Sequence, residues 1–185
     1  MAENIPSEVR FDSAGGGDCR IRPIVPADAA AIADIYNHYI LSTVITFEEE
    51  AVTAPQIAAR IEEVRRADLP WLVAESDGVL LGYANATKWK GRCAYRHSAE
   101  SGIYLASEAT GRGIGTRLYR ELLAALARRG VHAVIAGIAL PNPASIALHE
   151  KCGFGKIGHF REVGFKFERW IDVGYWQLLA DRKDS

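Results

Sequence analysis

Cysteine is scarce in this chain: three in 185 residues, at Cys19, Cys93 and Cys152. Three scattered thiols make neither a disulfide framework nor a zinc site at ligand spacing. No apolar run approaches the roughly 20 residues that a membrane-spanning helix needs. The opening segment MAENIPSEVRFDSAGGGDCR has acidic side chains and no apolar stretch, unlike a secretory signal. A cytoplasmic protein is the expectation. Neither charge sign dominates: Lys and Arg number 22, Asp and Glu 23, for a formal net charge of -1. Nothing in that balance draws the chain toward nucleic acid or an anionic membrane. Core formers are not lacking. Hydrophobic residues are 49% and charged residues 24%, the composition of a folded chain, and the length suits one domain.

Residues 1–19 read as a flexible tail, because Gly15, Gly16 and Gly17 follow a stretch without apolar period. The domain is expected over 20–185. Regular structure begins at Ile21. Ile32, Ile35, Tyr36 and Tyr39 share one helical face, with Asp28 as N-cap. A second helix is expected from Ala54 to Ala67. The period then changes to that of strands. Trp71–Glu75 and Val79–Trp89 flank the turn Ser76-Asp77-Gly78. A further strand ends in Ser101–Leu105, and an amphipathic helix runs from Gly115 to Arg129. Ala133–Leu140 is apolar throughout, as a strand buried on both faces would be. Pro143–Lys151 is a short helix ended by Gly153. Strands at Ile157–Phe165 and Asp172–Leu179 complete a mixed α/β domain with a local β-α-β unit.

Three motifs carry chemistry. Thr110-Gly111-Arg112-Gly113-Ile114-Gly115-Thr116 lies between a strand and a helix. Alternate glycines leave N–H groups exposed, and the helix N-terminus adds positive partial charge, so the turn suits a pyrophosphate. A tight turn without a ligand is the other reading of the same glycines. It is not a P-loop, for no Gly-Lys-Ser/Thr follows. It is not a dinucleotide fingerprint, since Thr116 stands where a third glycine belongs. Asn142 and Ser145 open the short helix, either to cap it or to meet a ligand at the strand end, and His149 shares that helix face. Lys88 to Glu100 holds four cations, two aromatics and one carboxylate, suited to a small anionic ligand or to plain solvation. Glu100 stands apart from that loop, within a strand near the glycine turn. Partial burial there raises a carboxyl toward a useful base.

Together these residues resemble the Gcn5-related N-acetyltransferase (GNAT) superfamily, from about Ile21 to Ala180. Within it they resemble the phosphinothricin and methionine sulfoximine/sulfone N-acetyltransferases. The segments that carry the resemblance are TFEEE around Phe47, WKGRCAYRHSAESGIYL, TGRGIGTRLY, ALPNPASIALHEKCGF and FKFERWIDVGYWQ. It implies an α/β single-domain fold: a mixed, mostly antiparallel sheet of about seven strands, flanking helices and a central β-α-β acetyl-CoA unit. It implies acetyl-CoA as cofactor, a small amino-acid-like amine as acceptor, a homodimer and no metal. The backbone of Ile103, Tyr104 and Leu105 would pair with the pantetheine arm. Gly111, Arg112, Gly113, Ile114, Gly115 and Thr116 would hold the pyrophosphate, with Asn142 and Ser145 further along the cofactor. Glu100 matches the general base, and His149 the group that protonates the leaving thiolate. Phe47, Lys90, Arg92, Tyr95, Tyr104 and Val173 match substrate-pocket positions. Thr110 departs from the usual Gln or Arg and removes one polar anchor. Two alternatives share this fold: transfer to a protein or peptide amine, and acyl-CoA sensing without catalysis.

Overall fold

The alternating and helical periods assemble into a sheet with helices on both faces. The computed structural model describes residues 19–180. The expected tail, apart from Cys19, and the last five residues of the expected domain lie outside the described residues. The elements are β1 (Arg20–Pro23), α1 (Ala29–Ser42), α2 (Ala54–Arg66), β2 (Trp71–Ser76), β3 (Val79–Lys88), β4 (Ser98–Leu105), α3 (Ile114–Arg128), β5 (Ala133–Leu140), α4 (Pro143–Lys151), β6 (Gly155–Lys166) and β7 (Arg169–Leu179). The strand order is β1-β2-β3-β4-β5-β7-β6. Among the described strands only β4 and β5 run parallel, because α3 is the crossover between them.

Alternate strand residues feed two cores. In β2 and β3, Val73 and Tyr83 pack with Ile32, Ile40 and Ile57 of α1 and α2. Their neighbours Ala74 and Ala84 pack with Leu118, Leu122 and Leu126 of α3 on the other face. The β2–β3 turn has Asp77 and Gly78 at φ 51° and 77°, the left-handed pair that a two-residue hairpin demands.

One local expectation is corrected. Asp28 precedes α1 but makes no side-chain cap to it. Its carboxylate instead accepts both terminal nitrogens of Arg22, at 2.8 and 2.9 Å, and the Val25 N–H at 2.8 Å. A charged fork outcompetes a helix N–H for the same oxygens. The Ile21 region is a strand, β1, held by the same Arg22, which reaches Glu75 of β2.

The parting of β4 from β5 opens the sheet. β4 and β5 are paired over three positions only: Ser98 with Ala133, Ala99 with Val134, and Glu100 with Ile135. Beyond Glu100, β4 continues along β3 to Leu105, while β5 continues along β7 to Leu140. The sheet therefore opens as a wedge whose apex is Glu100.

Candidate active site

Glu100 occupies the last paired position before the wedge, half-buried. Burial pushes its carboxyl above the ordinary value, and the Lys90 charge acts in the opposite direction. Cavities of about 680 Å³ and 560 Å³ meet there, and Glu100, Tyr104 and Gly137 line both. Tyr104 is held by a cluster of rings: Tyr83 stacks on it at 5.3 Å, and Tyr36 and Tyr39 meet its edge at 5.0 and 5.1 Å. Tyr39 also donates to the Leu105 carbonyl at 2.6 Å. Tyr36 and Tyr39 were legible only as members of one helical face, and Tyr83 only as a residue within the Val79–Trp89 strand.

The smaller cavity brings Phe47 and Val173 beside Glu100 and Tyr104. Phe47 sits on the segment between α1 and α2, which has no regular structure to hold it. Side chains hold it instead. Tyr36 donates to Glu48 at 2.9 Å and lies 2.8 Å from the Thr46 hydroxyl. Arg60 clasps both Glu48 oxygens at 2.8 and 2.9 Å. That pair holds the Glu48 carboxyl below its usual range despite partial burial. Lys90, Arg92 and Tyr95 lie elsewhere. They are exposed on the β3–β4 connection and line neither cavity, and the Lys90 ammonium rests 4.7 Å from the Trp89 ring centre.

His149 lines the larger cavity with Ser145. Its Nδ1 lies 2.7 Å from the Ser145 carbonyl, which only accepts, so that nitrogen carries the proton. Burial pushes the imidazole below its ordinary value, which favours the neutral ring with its lone pair on Nε2. Tyr119 and Phe154 fix its plane, with ring centres 4.9 and 5.3 Å away. Tyr119 in turn lies 2.7 Å from the Ser101 hydroxyl, which donates to the Ile135 carbonyl across the wedge at 3.3 Å.

The glycine turn leads from β4 into α3. Gly111 and Gly113 have φ of 73° and 76°, and nothing stands within 4 Å of where either Cβ would be. Gly113 is the N-cap of a 15-residue helix and offers no side chain to the first N–H groups. This open, donor-rich turn fits a phosphate group. Thr110 uses its hydroxyl within the turn, donating to the Ser107 carbonyl at 2.8 Å. Arg112 is exposed. Gly115 lets α3 approach β4, since a Cβ there would stand 3.2 Å from Leu105. The Asn142 side-chain oxygen accepts the Ser145 N–H at 3.1 Å, so it caps α4. Ile103 and Tyr104 line the larger cavity along the β4 limb.

A wedge beside a central carboxylate, with a phosphate-type turn at the end of its β-limb, is the architecture of an acyl-CoA transferase. The model of the Acetyltransferase (GNAT) family matches residues 32–154. The chain is 41% identical over 157 residues to the phosphinothricin N-acetyltransferase of Streptomyces viridochromogenes, covering 85% of each. It is 36% identical over 155 residues to the L-methionine sulfoximine/L-methionine sulfone acetyltransferase of Salmonella typhimurium, covering 84% of this chain and 91% of that one. The structure of a GNAT superfamily phosphinothricin acetyltransferase from Sinorhizobium meliloti, in complex with acetyl-CoA, superposes with a TM-score of 0.84 at 36% identity. That match covers 87% of this chain and 88% of the other. The chain belongs to the GNAT acetyltransferase family.

Proposed function

We propose that the protein is an acetyl-CoA-dependent N-acetyltransferase whose acceptor is the amine of a small amino-acid-like molecule of the phosphinothricin or methionine sulfoximine/sulfone type. The observation that carries this is the position of Glu100: it ends the β4–β5 pairing and lines both cavities, so two reactants can reach one carboxylate. Acetyl-CoA, when bound, supplies an activated acetyl thioester. Ile103, Tyr104 and Leu105 would hold its arm, Gly111 to Thr116 its pyrophosphate, and Asn142 and Ser145 would lie alongside. Phe47, Tyr104 and Val173 would form the acceptor pocket. Lys90, Arg92 and Tyr95 stand outside both cavities, and their cationic and aromatic groups would meet the acidic end of the acceptor only from the exposed β3–β4 connection; the Lys90 charge acts on Glu100.

An amine is protonated at neutral pH and has no free lone pair. Glu100 takes that first proton, directly or through water. Its raised affinity for protons matches it better to an ammonium than a fully solvated carboxylate would be. His149 handles the second, which the nitrogen sheds on acylation. Because Nδ1 is tied to Ser145, Nε2 accepts this proton and then delivers it to the departing sulfur. Placement of the two reactants in the wedge supplies much of the acceleration.

The assembly proposed is a homodimer. Among the described residues β6 is an edge strand of the sheet, on which Ile157, Phe160, Val163 and Phe165 are each more than half exposed. Such an edge is satisfied by a second copy about a two-fold axis. No described helix is long and apolar enough to cross a membrane. The unpaired thiols fit a cytoplasmic location. The test is coenzyme A release with acetyl-CoA and an amine panel: phosphinothricin, methionine sulfoximine, methionine sulfone, the common amino acids and short peptides. Selective turnover of the tetrahedral phosphorus and sulfur compounds is the expected result. Tight acetyl-CoA binding with turnover of peptides alone overturns the acceptor assignment.

A further inference from the structure

We propose that Lys166 is the positioning residue of the acceptor pocket: its buried ammonium ties the Thr46 carbonyl to the end of β6 and so holds Phe47 in place. This rests on the reading above that the smaller cavity takes the amine.

Lys166 is 1% exposed, among the most deeply buried large side chains of the molecule. Its Nζ donates to the Thr46 carbonyl at 2.8 Å, across 120 positions of sequence. Glu48 and Glu49, on the same segment as Thr46, supply opposite charge around it, and the Phe167 ring lies 5.1 Å from Nζ. A buried ammonium is an expensive means of filling space, and an apolar side chain of the same volume often serves stability as well or better. What the lysine adds is a directed bond to one carbonyl.

Gly164 works with it. Positions 164 and 166 share a face of β6, since side chains alternate along a strand. A Cβ on Gly164 would stand 2.2 Å from the Phe47 ring, so the ring occupies the space that glycine leaves. Consecutive residues of the segment, Thr46 and Phe47, are thus gripped by alternate residues of one strand. On its other side, Thr46 meets Tyr36 of α1, and Glu48 meets Arg60 of α2. The segment therefore bridges the two limbs that separate beyond Glu100. Thr46, Phe47 and Gly164 all line the cavity that Glu100 enters.

Lys166→Met keeps an unbranched stem and removes the donors. Two readings are taken: Michaelis constants for acceptor and acetyl-CoA, and hydrogen exchange of the amides of residues 44–49. The acceptor constant is expected to rise about tenfold while that for acetyl-CoA stays within about twofold. In a Phe47→Ala background, Lys166→Met is expected to add little, because the lysine acts through that ring. Exchange over 44–49 is expected to accelerate. An unchanged acceptor constant, effects that multiply in the double variant, or unchanged exchange overturns the proposal. Lys166→Leu, which also removes the donors, replaces Lys166→Met with the same readings if the latter shows no cooperative melt. A wild-type enzyme that turns over no amine of the panel overturns the acceptor reading, and exchange over 44–49 then judges the tie by itself.

Discussion

Two influences act on Glu100, and they have opposite signs. Burial raises its proton affinity above the ordinary 4.5, while Lys90 lowers it. As the base it must be ionised, so turnover is expected to rise with pH through a midpoint above that ordinary value. Lys90→Ala removes the opposing influence and is expected to move this acid limb further upward. A pH profile of kcat/KM for both proteins checks the sign. Glu100→Gln is expected to lower kcat by about 10²-fold or more, with acetyl-CoA affinity unchanged in a binding titration. The chemistry of Glu100 was readable from its type and its place in a strand ahead of the glycine turn. Lys166 was not readable. A lysine near a strand end looks like any solvated charge until the chain brings Thr46 against it.

At the level of elements, the glycine turn and the α4 cap make separable predictions. Gly113→Ala introduces no clash but places a Cβ at φ 76°, a left-handed position that costs an L-residue about 1–2 kcal/mol. The turn relaxes to relieve this, and the Michaelis constant for acetyl-CoA is expected to rise several-fold while that for the acceptor holds. Asn142→Ala removes the α4 cap, at about 1 kcal/mol, and a drop of about 2–4 °C in a thermal melt is expected. The Arg22 guanidinium holds the Asp28 carboxyl below its ordinary 3.8. Its folded proton affinity is thus lower than its unfolded one. The stabilisation is complete above the unfolded value and is lost as pH falls below it. Asp28→Asn is expected to flatten that acid stretch of a denaturation series. The hairpin was legible from its strands about a tight turn, α3 from one apolar face, β5 from an unbroken apolar run, and α4 from Pro143 at its start and Gly153 after its end. β1 was not, for four residues with two arginines have no period, and Arg22 is satisfied by Asp28 and Glu75.

Across the whole molecule, the exposed β6 edge sets the expected assembly. Ile157→Lys with Trp170→Glu places charge on residues 58% and 62% exposed, both outside the two cavities. Sedimentation of this variant is expected to give a monomer where the unaltered chain gives a dimer, and equal masses would remove the edge from the interface. The order of elements after β1, the β-α-β crossover and the glycine turn follow from the sequence by itself, since local period and backbone preference act over a few residues. So do the expectations of Glu100 as base and of the glycine turn as a phosphate site. Only the tertiary structure decided that β4 and β5 part after Glu100, that Phe47 fills the space at Gly164, and that Asp28 serves Arg22 rather than a helix. It also left Lys90, Arg92 and Tyr95 outside both cavities. These are contacts between residues far apart in the chain, and their geometry exists only once both core layers have packed against the sheet.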